Sequence, residues 1–148
     1  MRFCNENRCM CWECPLGECH EQCNNNEIAS CQWKKVFVHD SIFHRYGLFA
    51  GEYIKKGEFI IEYLGIEYKK NKLHKHRGYS MEMDKHYIDA FEEGSLARYI
   101  NHVPGANARF VKKIVAGSQR CGVFAINNIK ENEEITCSYK SNGQYQVI

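Results

Sequence analysis

Seven of the nine cysteines fall within the first 31 residues: Cys4, Cys9, Cys11, Cys14, Cys19, Cys23 and Cys31. Their spacing is Cys4-x4-Cys9-x-Cys11-x2-Cys14-x4-Cys19-x3-Cys23-x7-Cys31. Thiolate is a soft, strong ligand for zinc, and a structural zinc ion takes four ligands tetrahedrally. Two separate ions need eight ligand positions. Seven thiolates supply eight if one bridges both metals; otherwise His20 is the eighth. Structural zinc is preferred over a disulfide scaffold or unligated thiols, because nothing in the chain points to an oxidising compartment. Cys121 and Cys137 stand apart in strand-like apolar settings and read as small buried hydrophobes. A nucleophilic cysteine needs a positioned base and oxyanion donors, and no local motif supplies them.

The elements that must hold such residues follow from the rest of the chain. Residues 1–33 carry few apolar side chains and read as a small module held by something other than a hydrophobic core. The remainder suits one domain: 148 residues in all, 44% hydrophobic, 11 Gly and only 2 Pro. The formal net charge of +2 is too small to imply nucleic-acid binding by itself. No apolar run approaches the roughly 20 residues that span a bilayer. Met-Arg-Phe-Cys opens a polar stretch and not a signal peptide, so a reducing compartment is expected.

Short strands are predicted at 35–38, at 46–51 after a turn, at 58–65 closed by Gly65, at 86–90, at 121–125 and at 135–139. Residues 68–78 are basic and nearly free of apolar side chains, as in a solvated helix or insertion loop. Lys69 to Arg77 could meet DNA or an acidic partner; a solvated face is the simpler reading. Many short strands with turns between them imply a mostly β domain.

Four segments, in order, resemble the SET domain. They are Arg45-Tyr46-Gly47-Leu48-Phe49, Glu62-Tyr63-Leu64-Gly65, Arg98-Tyr99-Ile100-Asn101-His102 with Asn107, and Gly122-Val123-Phe124-Ala125 followed by Glu133-Glu134-Ile135-Thr136-Cys137-Ser138-Tyr139. Each is short, but four in order behind a Cys-rich module are specific. The resemblance implies a fold of short curved β-sheets with a pseudoknot-like C-terminal threading, preceded by a small zinc-cluster module. It divides the chain into a zinc module at 1–33, a SET domain at 34–141 with a basic insert near 68–78, and a tail at 142–148 without post-SET cysteines. Cys4-x4-Cys9-x-Cys11 is similar to the CXC motif of the Enhancer-of-zeste type. That family's module has more cysteines, and Lys34 stands where another would be expected, so two or three zinc ions are implied. The runner-up is the AWS-SET type, whose members usually carry a Cys-rich post-SET tail. Where the family has Asn-His-Ser and then Pro-Asn, this chain has Asn101-His102-Val103-Pro104-Gly105-Ala106-Asn107.

The resemblance implies S-adenosylmethionine as cofactor and methyl transfer to a lysine of the histone H3 tail or nucleosome. Lysine 27 is the expected target, with Polycomb-type partners, a nuclear location and gene repression; lysine 36 is the alternative. A weakly active module that needs partner subunits is a further reading. No membrane is expected. Such a transfer needs a neutral amine, although a free lysine has a pKa of about 10.4. A narrow apolar channel favours that form, and tyrosines suit its walls. By resemblance Tyr139 is the catalytic tyrosine, Tyr63 lines the channel and Tyr79 lies along it. Tyr46, Gly47, Leu48, Asn101, His102 and Tyr139 would hold the cofactor, with Arg98 structural. Cys137 stands where the family usually has Phe or Tyr, which implies room for higher methylation states.

Overall fold

A computed structural model of the chain describes residues 26–71 and 78–138. Cys4, Cys9, Cys11, Cys14, Cys19, Cys23, His20, Tyr139, the 142–148 tail and the middle of the basic run lie outside the described residues.

Ten strands and one short 3-10 helix make up the described chain. The strands are β1 (Val36–Asp40), β2 (Tyr46–Ala50), β3 (Phe59–Glu62), β4 (Gly65–Lys69), β5 (Ser80–Glu82), β6 (His86–Gly94), β7 (Asn101–His102), β8 (Ala108–Val115), β9 (Ser118–Ala125) and β10 (Glu134–Cys137). The 3-10 helix is Leu96–Tyr99. A seven-stranded sheet runs in the order β1-β2-β10-β8-β9-β3, with β7 alongside β10. A three-stranded sheet runs β4-β6-β5. The mostly β expectation holds.

Most boundaries shift from the sequence reading by one to four residues, and two differences are instructive. Gly65 does not close a strand from 58; it opens β4 after a break at Tyr63 and Leu64. Its Cα passes against the Asp89 backbone, where a Cβ would collide with the Asp89 carbonyl and the Ala90 nitrogen. Only glycine allows that approach. Tyr68 and Lys69 then belong to β4, paired with Tyr87 and His86, so the basic run starts inside a strand.

The β8–β9 hairpin carries the longest ladder in the described chain, from Ala108↔Ala125 to Val115↔Ser118. The sequence pattern predicts only its 121–125 half. Lys112 and Lys113 interrupt the apolar alternation of β8. Its two-residue turn is Ala116-Gly117, with φ of 48° and 82°, the doubly positive pattern of a tight hairpin. The usual Asn-Gly or Asp-Gly signal is absent. Lys113 is buried nonetheless, with its ammonium 4.6 Å from the centre of the Phe124 ring.

The main core lies between the sheets and includes Leu48, Ile61, Tyr63, Met81, Phe110, Cys121, Ile135 and Cys137. A second, smaller cluster covers the other face of the hairpin with Ile28, Phe59, Val111, Val115 and Phe124. Ile28 is fully buried there, so the described end of the Cys-rich segment is anchored by a hydrophobic contact. The free edge of β3 is covered in part by the Lys34 N–H, which donates to the Ile60 carbonyl at 2.8 Å. No helix among the described residues is long and apolar enough to cross a membrane.

Candidate functional site

The short strand β10 reaches three neighbours at once. It pairs antiparallel with β2 through Glu134↔Phe49 and Ile135↔Leu48. It runs parallel to β7 through Thr136↔Asn101 and Cys137↔His102, and parallel to β8 through Cys137↔Ala108. This register brings two distant motifs together: Asn101-His102 and Glu134 to Ser138 lie side by side.

Asn107 ties the junction from behind. Its side-chain oxygen accepts from the Thr136 N–H at 2.9 Å, and its amide donates to the Glu134 carbonyl at 2.8 Å. The altered Val103-Pro104-Gly105-Ala106 segment thus still delivers an asparagine to β10. Gly105, with φ of 76°, makes the turn possible.

In front, Asn101 meets the β1–β2 turn. Its Nδ2 donates to the Tyr46 carbonyl at 2.9 Å and to Glu134 Oε1 at 2.8 Å, and lies 3.2 Å from the Ser41 hydroxyl. That hydroxyl donates to the Glu134 carboxylate at 2.8 and 2.9 Å and accepts the Phe43 N–H at 3.0 Å. Gly47, in β2, has no Cβ because the Glu134 carboxylate fills that space. The resemblance places Gly47 among the cofactor-holding residues; within the chain its nearest neighbour is the Glu134 carboxylate.

The surface around this junction is apolar. Ile42 is 93% exposed, Phe43 and Tyr46 about half. Arg45 lies over the Tyr46 ring at 5.3 Å. The Tyr46 ring meets Tyr99 edge-on at 6.4 Å. Arg98 stacks on Tyr99 at 5.0 Å, donates to its hydroxyl at 3.0 Å and to the Ala90 carbonyl at 3.3 Å. Arg98 therefore links the 3-10 helix to β6, a structural task. Leu48 is buried under the junction and His102 is exposed at the end of β7.

Tyr63 and Tyr79 form a second group. Tyr63 is 3% exposed, and its hydroxyl donates to the Tyr79 carbonyl at 2.6 Å. Its ring packs edge-on against Phe110 at 5.8 Å, and the Tyr79 ring against Phe91 at 5.5 Å. Ser95 joins this group to the 3-10 helix by donating to the Glu62 carbonyl at 2.6 Å and accepting the Leu64 N–H at 3.2 Å.

Glu62, one residue before Tyr63, is a charged centre that the sequence reading misses. It is 2% exposed and grips Arg120 by two bonds, Nε to Oε1 and Nη2 to Oε2, each 2.6 Å. Arg120 also lies 3.4 Å from the Ile28 carbonyl. The Glu62 hydrogen bond holds the guanidinium pKa above its ordinary value, with Cys31 a smaller contributor. Ser41 and Glu134 are missed as functional partners too. Carboxylates set in otherwise apolar strands are the available signal for both Glu62 and Glu134. A cleft of about 460 Å³ opens beside Glu62 and Arg120, bounded by Leu64, His86 and Gln119. Among the described residues, none of the sequence-predicted site residues lines it.

Cys121 and Cys137 are fully buried. Burial pushes the Cys121 thiol up to about 12 and the Cys137 thiol well above the ordinary range. Both stay protonated and unreactive at neutral pH, as small hydrophobes do. Cys31 is exposed at the end of the 27–31 turn with φ of 52°. Among the described residues no group of three or more His, Cys, Asp or Glu side chains is placed to hold a metal ion.

Strand order, the β7–β10 pairing and the residues gathered at it define a family. Residues 45–140 match the SET domain model. The chain belongs to the SET domain family. It is 37% identical over 147 residues to a Candida albicans protein described as a histone-lysine N-methyltransferase, H3 lysine-36 specific, covering 90% of this chain and 17% of that protein. It is 37% identical over 138 residues to a Chaetomium globosum histone-lysine N-methyltransferase, H3 lysine-4 specific, covering 84% of this chain and 12% of the relative. The structure is similar to that of the Chaetomium thermophilum polycomb repressive complex 2, with a TM-score of 0.73 and 30% identity over 81% of this chain and 17% of that one. A related structure of that complex, with the same TM-score and identity, is described as bound to S-adenosylmethionine. The chain thus spans under a fifth of the length of these relatives.

Proposed function

We propose that this chain is the catalytic domain of an S-adenosylmethionine-dependent protein-lysine methyltransferase that acts on histone H3. The observation that carries the reading is the junction at β10, where Asn101, Gly47, Tyr46 and Glu134 meet beside the strand that leads to Tyr139. The residues present fit the cofactor. A nucleoside with a cationic amino-acid end needs apolar cover and acceptor oxygens. The exposed Ile42, Phe43 and Tyr46 side chains offer the first, and the Asn101 side-chain oxygen the second.

When bound, the cofactor supplies a methyl group on a sulfonium, whose departure needs no acid. The chain's own residues have simpler tasks. Tyr46, Asn101 and His102 hold the adenosine and amino-acid ends. Tyr63 and Tyr79 wall the lysine channel, exclude water and favour the neutral amine. Tyr139 orients that amine by its hydroxyl. In this reading β10 continues beneath the Asn101-His102 segment as a pseudoknot-like threading, which its parallel pairing with β7 and β8 supports. The seven N-terminal cysteines hold two or three structural zinc ions in the 1–33 module. Residues 34–141 form the SET domain, and 142–148 the tail. The small Cys137 leaves room for higher methylation states, and mass spectrometry that found product stalled at monomethyl-lysine would contradict this. The enzyme works in the nucleus on chromatin.

Two target lysines have separate support. The Candida albicans relative is described as specific for lysine 36, and so is a Debaryomyces hansenii relative at 35% identity. The similar solved structures are of polycomb repressive complex 2, one of them with H3K27me3. Nucleosomes carrying Lys-to-Arg changes at lysine 27 or lysine 36 of H3 separate the two. Loss of transfer with one substitution alone names the target. Transfer that survives both together rules out both sites.

A further inference from the structure

We propose that Phe91, with Glu92 and Glu93 beside it, determines which peptide docks beside the lysine channel: one that carries an arginine or a second lysine close to the acceptor lysine. The inference rests on the methyltransferase reading and deepens it by naming the substrate class.

The observation that carries it is a break in the small sheet. β4 and β6 pair at Ile66↔Asp89 and again at Gly65↔Gly94. Ala90, Phe91, Glu92 and Glu93 therefore lie between two successive pairs with no opposing residue on β4. An excursion of this kind projects side chains that a regular ladder would keep in line. It is firmly held. The Phe91 N–H donates to the buried Asp89 carboxylate at 2.9 Å. The Ala90 N–H donates to the Tyr79 carbonyl at 3.0 Å, and the Ala90 carbonyl accepts from Arg98 at 3.3 Å. Gly94 closes the excursion, where a Cβ would collide with the Leu64 carbonyl and the Ala90 side chain.

This geometry sets Phe91 against the channel wall. Its ring meets Tyr79 edge-on at 5.5 Å, and the Tyr79 carbonyl in turn accepts from the Tyr63 hydroxyl. Tyr79 is half-buried while Phe91 is exposed, so Phe91 stands on the solvent side of that wall. Glu92 and Glu93 follow it and are exposed as well. Among the described residues neither carboxylate has an ion-pair or hydrogen-bond partner. Arg98 does not neutralise them by a bond; it is committed to the Ala90 carbonyl and the Tyr99 hydroxyl. An exposed aromatic face attracts a cation, and unneutralised carboxylates add charge attraction. The same carboxylates repel an acidic segment, which gives selection as well as affinity.

The test uses the whole chain and fluorescent H3 tail peptides centred on lysine 27 or lysine 36. In a matched set, the basic residues within two positions of the acceptor become glutamine. Binding is read by anisotropy, which needs no turnover, and methyl transfer to the same peptides gives kcat and KM. The native chain should bind at least one unaltered peptide about three- to tenfold more tightly than its glutamine counterpart. The difference should lie in KM and not kcat, and should fade in about 0.5 M salt. Glu92→Gln with Glu93→Gln should abolish the preference while thermal melting stays native, and Phe91→Thr should reduce it. Glu92→Lys with Glu93→Lys should reverse it, favouring peptides with glutamate at the altered positions, which a merely structural role would not do. Equal affinity of the native chain for unaltered and glutamine peptides would overturn the proposal. So would a preference that survives in the double glutamine variant. A charge preference in binding without any methyl transfer would keep this docking surface and overturn the methyltransferase reading. Transfer without the preference would do the reverse.

Discussion

Two carboxylates sit where strands cross, and the molecule treats them differently. Glu62, in β3, is 2% exposed and is matched by a full positive charge, Arg120, through two bonds of 2.6 Å. Glu134, in β10, is partly exposed and is matched by neutral donors from Asn101 and Ser41. The first is a closed pair that fastens the hairpin to β3 and reaches the Ile28 carbonyl. The second joins β10 to β7 and to the β1–β2 turn through neutral groups. Burial with a full counter-charge makes a brace; partial exposure with neutral donors makes a polar junction between strands.

Breaking the brace should have the largest effect. Arg120→Ala leaves Glu62 buried and unpaired, and should cost about 3–5 kcal/mol of stability. Urea denaturation checks this; a loss under about 1 kcal/mol would mean that Glu62 needs no counter-charge. The comparison sharpens at two glycines, Gly47 beside Glu134 and Gly65 against the β6 backbone. Gly47→Ala pushes against the end of the Glu134 side chain and should cost about 1–3 kcal/mol while also weakening S-adenosylhomocysteine binding. Its urea midpoint and binding isotherm report the two effects. Gly65→Ala meets fixed Asp89 backbone instead, so its stability loss should exceed that of Gly47→Ala. The smallest effect belongs to Tyr63→Phe. The Tyr79 carbonyl that the hydroxyl meets also accepts the Ala90 N–H at 3.0 Å, so it stays satisfied. A loss of about 0.5–1.5 kcal/mol is expected by thermal melting. A loss as large as that of Arg120→Ala would reverse the order of the two regions.

The mostly β class and four motif segments are legible in the sequence because period-2 alternation and short motifs are local signals. Asn101 and Gly47, which the fold brings to the β10 junction, lie in those motif segments. The β8–β9 ladder is half hidden, since Lys112-Lys113 break its alternation and Ala116-Gly117 is not a standard turn pair. Gly65 reads as a strand end, wrongly, because its task is set by Asp89, a tertiary neighbour. The partnerships of Glu134 with Ser41 and Asn101, and of Glu62 with Arg120, are hidden for a related reason, although the two carboxylates themselves stand out in apolar strands. Their partners are 93, 33 and 58 residues away in sequence, and only the fold brings them together.

The most direct test of the central claim is methyl transfer itself. The chain is incubated with labelled S-adenosylmethionine and recombinant nucleosomes, beside Asn101→Ala and Tyr139→Phe. The account predicts label on a lysine of histone H3 with the native chain, and a loss of at least about tenfold with each variant. No transfer by the native chain, or transfer undiminished in both variants, would contradict it.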